Sequence, residues 1–186
     1  MRTAPLLAAL GLVAGLVLVP TAANADTSSP SPDPSGGYCA SQITADAPMS
    51  DPVCFDTQDE LDGYLASQGV IEPQNGALKS NAVQAASADV ILGTVYKNAN
   101  LKGDSLTLFG NGSRCDGVTY GFSSLASGWN NSISSAVAVT GCWMTLYSKT
   151  SYAGDKITCT PECDTVSSLL NDKVKSILFK PTGEFG

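Results

Sequence analysis

The 186-residue sequence predicts an all-β domain built from two Greek-key motifs, preceded by a small segment with two cysteines and one short helix. Two observations predict this fold class. From Val90 onwards, short apolar runs alternate with clusters of Gly, Asn, Asp and Ser, a pattern typical of an antiparallel sandwich or barrel. The same region also contains an internal repeat, in which a hairpin pattern and an Asn-rich turn each occur twice.

Six short runs in this region are candidate strands, because each is largely apolar and is bounded by turn-forming residues. They are Val90–Tyr96, Ser105–Phe109, Ile133–Thr140, Cys142–Ser148, Asp155–Cys159 and Val174–Phe179. Strands this short gain stability only by pairing and by packing against a second layer. We therefore expect the six strands to belong to one sandwich.

The first residues have the features of an export signal. Arg2 supplies the positive charge, Leu6 to Val19 form the apolar stretch, and Ala23 to Ala25 supply the small residues of a cleavage site. No later apolar run approaches the length of a membrane span. We therefore expect a secreted protein that does not contact a membrane.

Residues 38–70 are predicted to form a small segment with a helix over Thr57–Gln68. Thr57 and Glu60 have the spacing of a capping box, and Gly69 suits the C-terminal end of a helix. So small a segment cannot hold a core alone, so we expect a disulfide or the main domain to stabilise it. The predicted divisions of the chain are a signal peptide (1–25), a disordered linker (26–37), this disulfide-stapled segment (38–70), a connector (71–89) and the Greek-key domain (90–181).

Composition narrows the class of function. The net charge is −7, with 10 basic and 17 acidic residues, so a nucleic-acid or anionic-membrane partner is not expected. The sequence has no histidine, which removes His-based triads and most catalytic zinc sites. The spacing of carboxylates such as Asp116, Glu162 and Asp164 indicates no catalytic pair. We therefore predict that the protein is not an enzyme.

The internal repeat consists of a hairpin pattern and a following turn. Residues 96–103 and 147–154 share an aromatic residue, four further residues, a second bulky residue and, two positions later, a glycine. The glycine suits a position of positive φ in a folded-over hairpin, on which the two bulky side chains pack. Each hairpin is followed by an Asn-rich turn, at Trp129–Ser135 and Leu170–Ser176, whose final serine can hydrogen-bond to the hairpin.

Together these motifs resemble a βγ-crystallin domain over roughly Val90 to Pro181. The resemblance implies two Greek-key motifs packed as a compact sandwich. The second hairpin has the full pattern, with Tyr147, Tyr152 and Gly154, whereas the first has Leu101 in place of the second aromatic residue. Leu101 is large and apolar, so we expect it to fill the same packing position.

The resemblance also implies Ca²⁺ binding at the Asn-rich turns, with each site taking ligands from both motifs. In the first turn, Asn131 and Ser134 would provide side-chain oxygens and Ser132 a carbonyl. In the second turn, Asp172 would provide a carboxylate and Lys173 a carbonyl, but Lys175 replaces the expected hydroxyl. Backbone carbonyls near Lys97 and Ser148 would complete the shells. We expect one weak site, with a dissociation constant of about 10⁻⁴–10⁻³ M; the alternative is that the turns only hold the hairpins.

Six cysteines in an exported chain predict three disulfides. Fifteen connectivities are possible, and we favour Cys39–Cys54, Cys115–Cys142 and Cys159–Cys163. The last of these would close a turn around Thr160, Pro161 and Glu162.

The function predicted first is a secreted, non-enzymatic binding module of βγ-crystallin type that binds Ca²⁺ at one site. The alternative function rests on a second resemblance, to the Greek-key metalloproteinase inhibitors of actinobacteria, which carry local disulfides and an exposed reactive loop. Gly110–Gly117 or Thr160–Thr165 would present that loop to an extracellular protease. A toxin or cell-wall binder is a third possibility. Trp129 and Trp143 are predicted core residues rather than sugar-stacking ones.

Overall fold

The structure is a computed structural model that describes residues 36–43, 47–70, 89–110 and 114–186. The predicted signal peptide, almost all of the predicted linker and most of the predicted connector lie outside these residues. Within them, eleven strands and one helix follow in chain order. They are β1 (Tyr38–Ile43), β2 (Ala47–Pro48), β3 (Val53–Phe55), α1 (Gln58–Ser67), β4 (Val90–Asn98), β5 (Lys102–Gly110), β6 (Tyr120–Ser124), β7 (Ser135–Ala138), β8 (Cys142–Lys149), β9 (Ala153–Cys159), β10 (Glu162–Cys163) and β11 (Ser176–Pro181).

The strands form two sheets, which confirms the predicted all-β class. The first sheet has the order β10-β7-β4-β5-β1-β3, and the second has the order β2-β6-β11-β8-β9. The first motif (β4 to β7) places three strands in the first sheet and β6 in the second. The second motif (β8 to β11) places three strands in the second sheet and β10 in the first. Each motif thus contributes one strand to the sheet of the other.

The main core lies between the two sheets. Its fully buried residues come from strands of both motifs and include Val95, Leu106, Met144 and Phe179. A smaller cluster lies where α1 covers β1, β3 and the end of β5, and it includes Ala40, Phe55, Leu61 and Phe109. Burial of these apolar side chains on both sides of the first sheet stabilises the N-terminal segment.

The N-terminal segment joins the first sheet directly. β1 pairs in parallel with β5, with Tyr38 opposite Ser105 and Ile43 opposite Gly110, and it pairs antiparallel with β3. Helix α1 begins after Thr57 with the predicted capping box, in which Glu60 bonds back to the Thr57 backbone. The predicted Cys39–Cys54 disulfide links β1 to β3. Both predicted sources of stability, the disulfide and the main domain, therefore support this segment.

The two hairpins repeat the same backbone geometry. Asn100 and Leu101 have positive φ angles of 59° and 55°, and Ser151 and Tyr152 have φ angles of 55° and 57°. The glycines predicted to need positive φ, Gly103 and Gly154, also have it. The hydrogen bonds that hold each hairpin come from the serine that ends the Asn-rich turn.

In the first motif, the Ser135 hydroxyl donates to the Asn98 carbonyl at 2.6 Å and accepts from the Leu101 N–H at 3.0 Å. In the second, the Ser176 hydroxyl donates to the Lys149 carbonyl at 2.7 Å and accepts from the Tyr152 N–H at 3.1 Å. Both serines are completely buried. The predicted role of the final serine is confirmed in both repeats.

The predicted strands all exist, but one is shorter than expected. A strand was predicted over Ile133–Thr140, but the observed strand, β7, covers only Ser135–Ala138. At one end, the Ile133 carbonyl accepts from the Asp172 N–H instead of from a neighbouring strand. At the other end, Thr140 has a φ of 55° and leads through Gly141 into the next strand. The short strands β1, β2, β3, β6 and β10 were not predicted.

Candidate functional site

A disulfide closes the exposed loop that follows β9. Cys159 and Cys163, four residues apart, are bonded as predicted, and both are buried. Thr160, Pro161 and Glu162 between them are exposed. Exposure continues through Asp164 and Thr165. The structure therefore presents Thr160–Thr165, one of the two loops predicted to face a protease, as a projecting segment.

The backbone of this loop is held at both ends and in the middle. The Pro161 carbonyl accepts from the Ala138 N–H at 2.8 Å, where β10 pairs with β7. The Asp164 carbonyl accepts from the Asn100 N–H at 2.7 Å, which ties the loop to the first hairpin. The Val166 N–H donates to the Ser134 carbonyl at 2.8 Å. With the disulfide, these bonds fix the backbone while the side chains remain accessible.

Two carboxylates lie together on this loop. A side-chain hydrogen bond with Asp164, which stabilises the protonated Glu162 carboxyl, raises the pKa of Glu162 above its ordinary value, and desolvation and the negative charge of Asp164 raise it further. Glu162 also faces Tyr96 of the first motif. Burial raises the pKa of Tyr96, a hydrogen bond with Thr94 lowers it, and the charge of Glu162 raises it. The loop therefore carries concentrated negative charge beside the first sheet.

The second predicted protease-facing loop, Gly110–Gly117, is described only in part, because residues 111–113 lie outside the described residues. Cys115 bonds to Cys142 as predicted and links the first motif to the start of the second. The Asp116 side chain beside it is exposed.

The two Asn-rich turns lie next to each other and are related by the approximate symmetry of the internal repeat. The Asn131 N–H donates to the Val174 carbonyl at 2.9 Å, and the Asp172 N–H donates to the Ile133 carbonyl at 3.2 Å. Asn131 and Asp172 both have positive φ, at 61° and 54°. The equivalent residues of each turn therefore bond to the opposite turn.

This exchange brings predicted ligands from different motifs together. The Ser134 hydroxyl lies 3.4 Å from Oδ1 of Asp172, so a hydroxyl and a carboxylate meet at one point. The Asn131 N–H instead donates to the Val174 carbonyl. The next residue is Lys175, whose cationic side chain replaces the expected hydroxyl. The two possible cation sites are thus unequal. One combines Ser134 with Asp172, and the other combines Asn131 with a position occupied by Lys175.

The remaining predicted ligand residues have other contacts through their side chains. Ser132 donates to the Gly128 carbonyl at 2.9 Å, and Ser148 accepts from the Asp155 N–H at 2.9 Å. Lys97 forms a 2.9 Å salt bridge with Asp104. Lys173 is exposed. Carbonyl ligation by these four residues stays a prediction. The described residues contain no cluster of three or more His, Cys, Asp or Glu side chains suited to a metal ion.

The two tryptophans have different environments. Trp129 is buried in the main core, as predicted, and the Lys97 ammonium lies 5.1 Å from its ring centroid. Trp143 is not a core residue, so that prediction was wrong. It lies half-buried on the outer face of β8, where its ring packs 5.1 Å from that of the exposed Phe185. Alternation along β8 puts Met144 and Leu146 in the core and therefore turns Trp143 outward.

No helix in the described part of the chain is long and apolar enough to cross a membrane.

The search of curated proteins found no match. Among solved structures, the N-terminal domain of Protein S is 24% identical, with 48% of this chain and 96% of that chain covered and a TM-score of 0.36. A βγ-crystallin domain from Flavobacterium johnsoniae is 24% identical, with 50% and 99% covered and a TM-score of 0.36. A βγ-crystallin domain from Clostridium beijerinckii is 21% identical, with 48% and 97% covered and a TM-score of 0.37.

A family model gives the more informative comparison. The model of peptidase inhibitor family I36 matches residues 95–160. The match begins in β4, spans both hairpins and ends at Thr160, the first residue inside the disulfide-closed loop. From the first hairpin to this loop, the chain is therefore similar to peptidase inhibitor family I36, which confirms the predicted resemblance to Greek-key inhibitors.

Proposed function

We propose that this protein is a secreted inhibitor of an extracellular metallopeptidase, and that Thr160–Thr165 is the segment that enters the protease cleft. The observation that carries the proposal is the match of residues 95–160 to peptidase inhibitor family I36. The three disulfides suit an oxidising, extracellular environment. The choice of a metallopeptidase follows the resemblance stated for the sequence.

The physical support for this loop is its combination of exposure and restraint. Protease–inhibitor complexes form with little backbone movement. A segment that is already ordered before binding loses little entropy on association, which favours tight binding. Thr160–Thr165 meets this requirement, since the disulfide and three backbone hydrogen bonds hold it while Thr160, Pro161 and Glu162 stay exposed.

The disulfide also protects the loop against the enzyme it would block. If a protease cut a peptide bond between Cys159 and Cys163, the two new ends would remain tethered by the Cys159–Cys163 bond. They could not diffuse apart, so the cut loop would stay in the cleft. A substrate without such a tether would release its products.

The test is a protease panel with the purified mature protein. We expect stoichiometric inhibition of a thermolysin-like metallopeptidase and no inhibition of subtilisin or papain. Glu162→Ala is expected to raise the inhibition constant by about tenfold or more, because the side chain lies at the centre of the proposed contact. Lys149→Ala is the matched control, since Lys149 is equally exposed but lies at the second hairpin.

Two results would contradict this proposal. One is a lack of effect on the metallopeptidase at micromolar protein. The other is equal loss of inhibition in the Glu162 and Lys149 variants, which would place the contact away from the loop.

A second function, weak Ca²⁺ binding, is favoured by the contact between Ser134 and Asp172. We infer that these two side chains provide the hydroxyl and carboxylate of a single site. Both are hard oxygen ligands of the kind that Ca²⁺ prefers. The corresponding position beside Asn131 offers an amide near Lys175, whose positive charge opposes a cation.

This site is tested by thermal unfolding in EDTA and in millimolar Ca²⁺. A ligand at 100 times its dissociation constant stabilises the folded state by about 2.7 kcal/mol. We expect Ca²⁺ to raise the midpoint by a few degrees, and Ser134→Ala and Asp172→Asn to abolish the shift. Asn suits the left-handed backbone at position 172, so the second variant changes charge rather than fold.

Asn131→Ala is the discriminating control, because it alters the other half of the repeat. It is expected to leave the Ca²⁺-dependent shift in place. If the Asn131 variant loses the shift and the Ser134 variant keeps it, the site has been assigned to the wrong pair of ligands.

A further inference from the structure

The internal repeat places two equivalent grooves on the outer faces of the sheets. In the first motif, Thr94 lies opposite Thr107 and Tyr96 lies opposite Ser105. In the second motif, Thr145 lies opposite Thr158 and Tyr147 lies opposite Lys156. We call these two sets of four residues the first-motif groove and the second-motif groove. Each floor is formed by one pair of threonines and one tyrosine from adjacent strands.

The second-motif groove is occupied by a peptide segment of the same chain. The Gly186 N–H donates to the Thr145 hydroxyl at 3.2 Å, and the Lys156 ammonium donates to the Gly186 carbonyl. The Phe185 ring packs against Trp143, and the Phe185 carbonyl accepts from Lys180 at 3.3 Å. A short stretch of backbone with one aromatic side chain therefore lies on this groove.

Occupation changes the exposure of the groove residues. On the strands β8 and β4, Thr145 is 1% exposed and Tyr147 is 4% exposed, whereas their counterparts Thr94 and Tyr96 are only half-buried. On the partner strands the order is reversed, because Ser105 and Thr107 of β5 are buried, whereas Thr158 is half-buried and Lys156 is exposed. Three of the four residue types match, with Ser105 in place of Lys156, and the β4 side is the part of the first-motif groove that stays less covered than its counterpart.

The first-motif groove is open and has walls that the second lacks. Its volume is about 360 Å³, and Tyr38 from β1 and Gln58 from α1 line it beside the four floor residues. This volume lies at the small end of the range for ligand pockets. The lining offers hydroxyls, one amide, two tyrosine rings and the Lys102 side chain, a set that can bond a peptide backbone and pack against one apolar side chain.

We propose that the first-motif groove binds an extended peptide segment of a partner protein, in the way the second-motif groove binds Phe185–Gly186. The Thr94 hydroxyl would accept from a backbone N–H of the segment, as Thr145 does. Ser105 would bond a carbonyl in place of Lys156. Tyr38 lies opposite Ser105, not at the position equivalent to Trp143, and would pack against an aromatic side chain at that end of the segment. The proposal does not depend on protease inhibition, since the evidence for it is the repeat itself.

Because Ser105 replaces a lysine, this groove lacks the ammonium that holds the Gly186 carbonyl. The negative charge of Glu162 acts on Tyr96, and Lys102, which also lines the groove, carries a positive charge. With one charge of each sign at the groove, the segment best suited to it is uncharged at the contact, with an aromatic residue next to glycine or another small residue.

The test uses the isotope-labelled mature protein and the blocked peptide Lys-Pro-Thr-Gly-Glu-Phe-Gly, which copies residues 180–186. Amide chemical shifts are followed by NMR as the peptide is added. We expect saturable shifts at residues 94–96 and 105–107. Thr94→Val, which keeps the side-chain shape, is expected to weaken binding about tenfold through loss of one hydrogen bond.

Thr145→Val is the matched control, because it removes the equivalent hydroxyl from the other groove. It is expected to leave peptide binding at residues 94–96 unchanged, and the spectra of both variants will show whether they are folded. The same titration with cellotetraose tests a neutral sugar as the occupant. Concentrating the protein alone tests a second copy.

Four results would overturn the proposal. The first is the absence of saturable shifts at the first-motif groove with millimolar peptide. The second is a set of shifts confined to the second-motif groove, which would mean that the peptide only displaces residues 185–186. The third is binding of the sugar in place of the peptide. The fourth is a concentration-dependent shift without peptide, which would make a second copy the occupant.

Discussion

The two Greek-key motifs use the same residues where they build the scaffold and different residues where they face solvent. Ser135 and Ser176 make the same pair of hydrogen bonds, and Gly103 and Gly154 occupy the same backbone conformation. The outer surfaces have diverged. The sheet of one motif is extended at its edge by β1 and β3, against which α1 packs, and the other motif carries Phe185 and Gly186 on its outer face.

The comparison separates stability from recognition. A residue that is equivalent in both motifs is expected to contribute similarly to the free energy of unfolding in both. A residue present in one motif alone is expected to affect binding more than folding. The predictions below test this separation, from the largest expected effect to the smallest.

The disulfides provide the strongest test, because one links the motifs and the other closes a loop. Cys115 and Cys142 are 27 residues apart, whereas Cys159 and Cys163 are 4 apart. Chain entropy predicts losses of roughly 3–4 kcal/mol and about 2 kcal/mol when the respective pairs are changed to alanine. Urea denaturation measures both losses. Inhibition should fall only when the second pair is removed, and loss of inhibition in a folded Cys115/Cys142 variant would contradict this assignment.

The equivalent serines test whether the scaffold is symmetric. Ser135→Ala and Ser176→Ala each leave a buried carbonyl and a buried N–H without their hydroxyl partner, so each is expected to lower the free energy of unfolding by about 1–3 kcal/mol. Both are measured by the same denaturation experiment. A clear inequality between the two values would show that one hairpin depends less on its serine than the shared geometry indicates.

The second bulky residue of each hairpin is an asymmetry within the scaffold. The Tyr147 and Tyr152 rings pack edge to face at 5.9 Å, and Leu101 occupies the position equivalent to Tyr152. Tyr152→Leu is expected to lower the free energy of unfolding by about 0.5–1.5 kcal/mol through loss of the aromatic pair.

The reciprocal change, Leu101→Tyr, affects the first-motif groove, which Leu101 lines. It is expected to weaken binding of the 180–186 peptide with little change in stability. Unchanged peptide binding in this variant would show that the rim of the groove does not contact the peptide.

The smallest expected effect is on pH dependence at the exposed loop. The side-chain hydrogen bond with Asp164 raises the pKa of Glu162 in the folded state. Between the unfolded and the folded pKa, the folded protein holds the proton more tightly, so stability falls as pH rises through this window. The contribution is fully present below the unfolded pKa. Glu162→Gln should remove this slope in thermal melts recorded across mildly acidic pH, and an unchanged slope would assign it to another group.

The parts predicted from the sequence are those determined by local pattern or by covalent linkage. The hairpins were predictable because each pattern is local. In each repeat, the two bulky residues and the glycine with positive φ, Gly103 or Gly154, lie within eight positions. The helix was predictable because the two residues of its capping box, Thr57 and Glu60, are only three positions apart. The three disulfides, which the structure confirms, were predictable because each pair brackets a turn or joins successive motifs.

The parts not predicted depend on pairing between distant residues. β1 pairs in parallel with β5, more than sixty residues later, and no local pattern indicates that partner. β6 contains Gly121, whose lack of a side chain lets Leu178 and the Tyr152 hydroxyl approach closely, so its composition did not look like that of a strand. The contact between Ser134 and Asp172 joins residues 38 positions apart. The residue types were visible in the sequence, but their distance was not.

The parallel pairing of β1 with β5 has a consequence for how the protein behaves in concentrated solution. Without β1, the backbone of Lys102–Gly110 would end the first sheet with a row of unpaired amides and carbonyls, followed by no other strand. Such an edge is a template on which molecules stack into filaments. The N-terminal segment blocks this polymerisation with a strand of the same chain, so a protein nicked before β4 and stripped of residues 36–55 is expected to precipitate rather than remain dispersed.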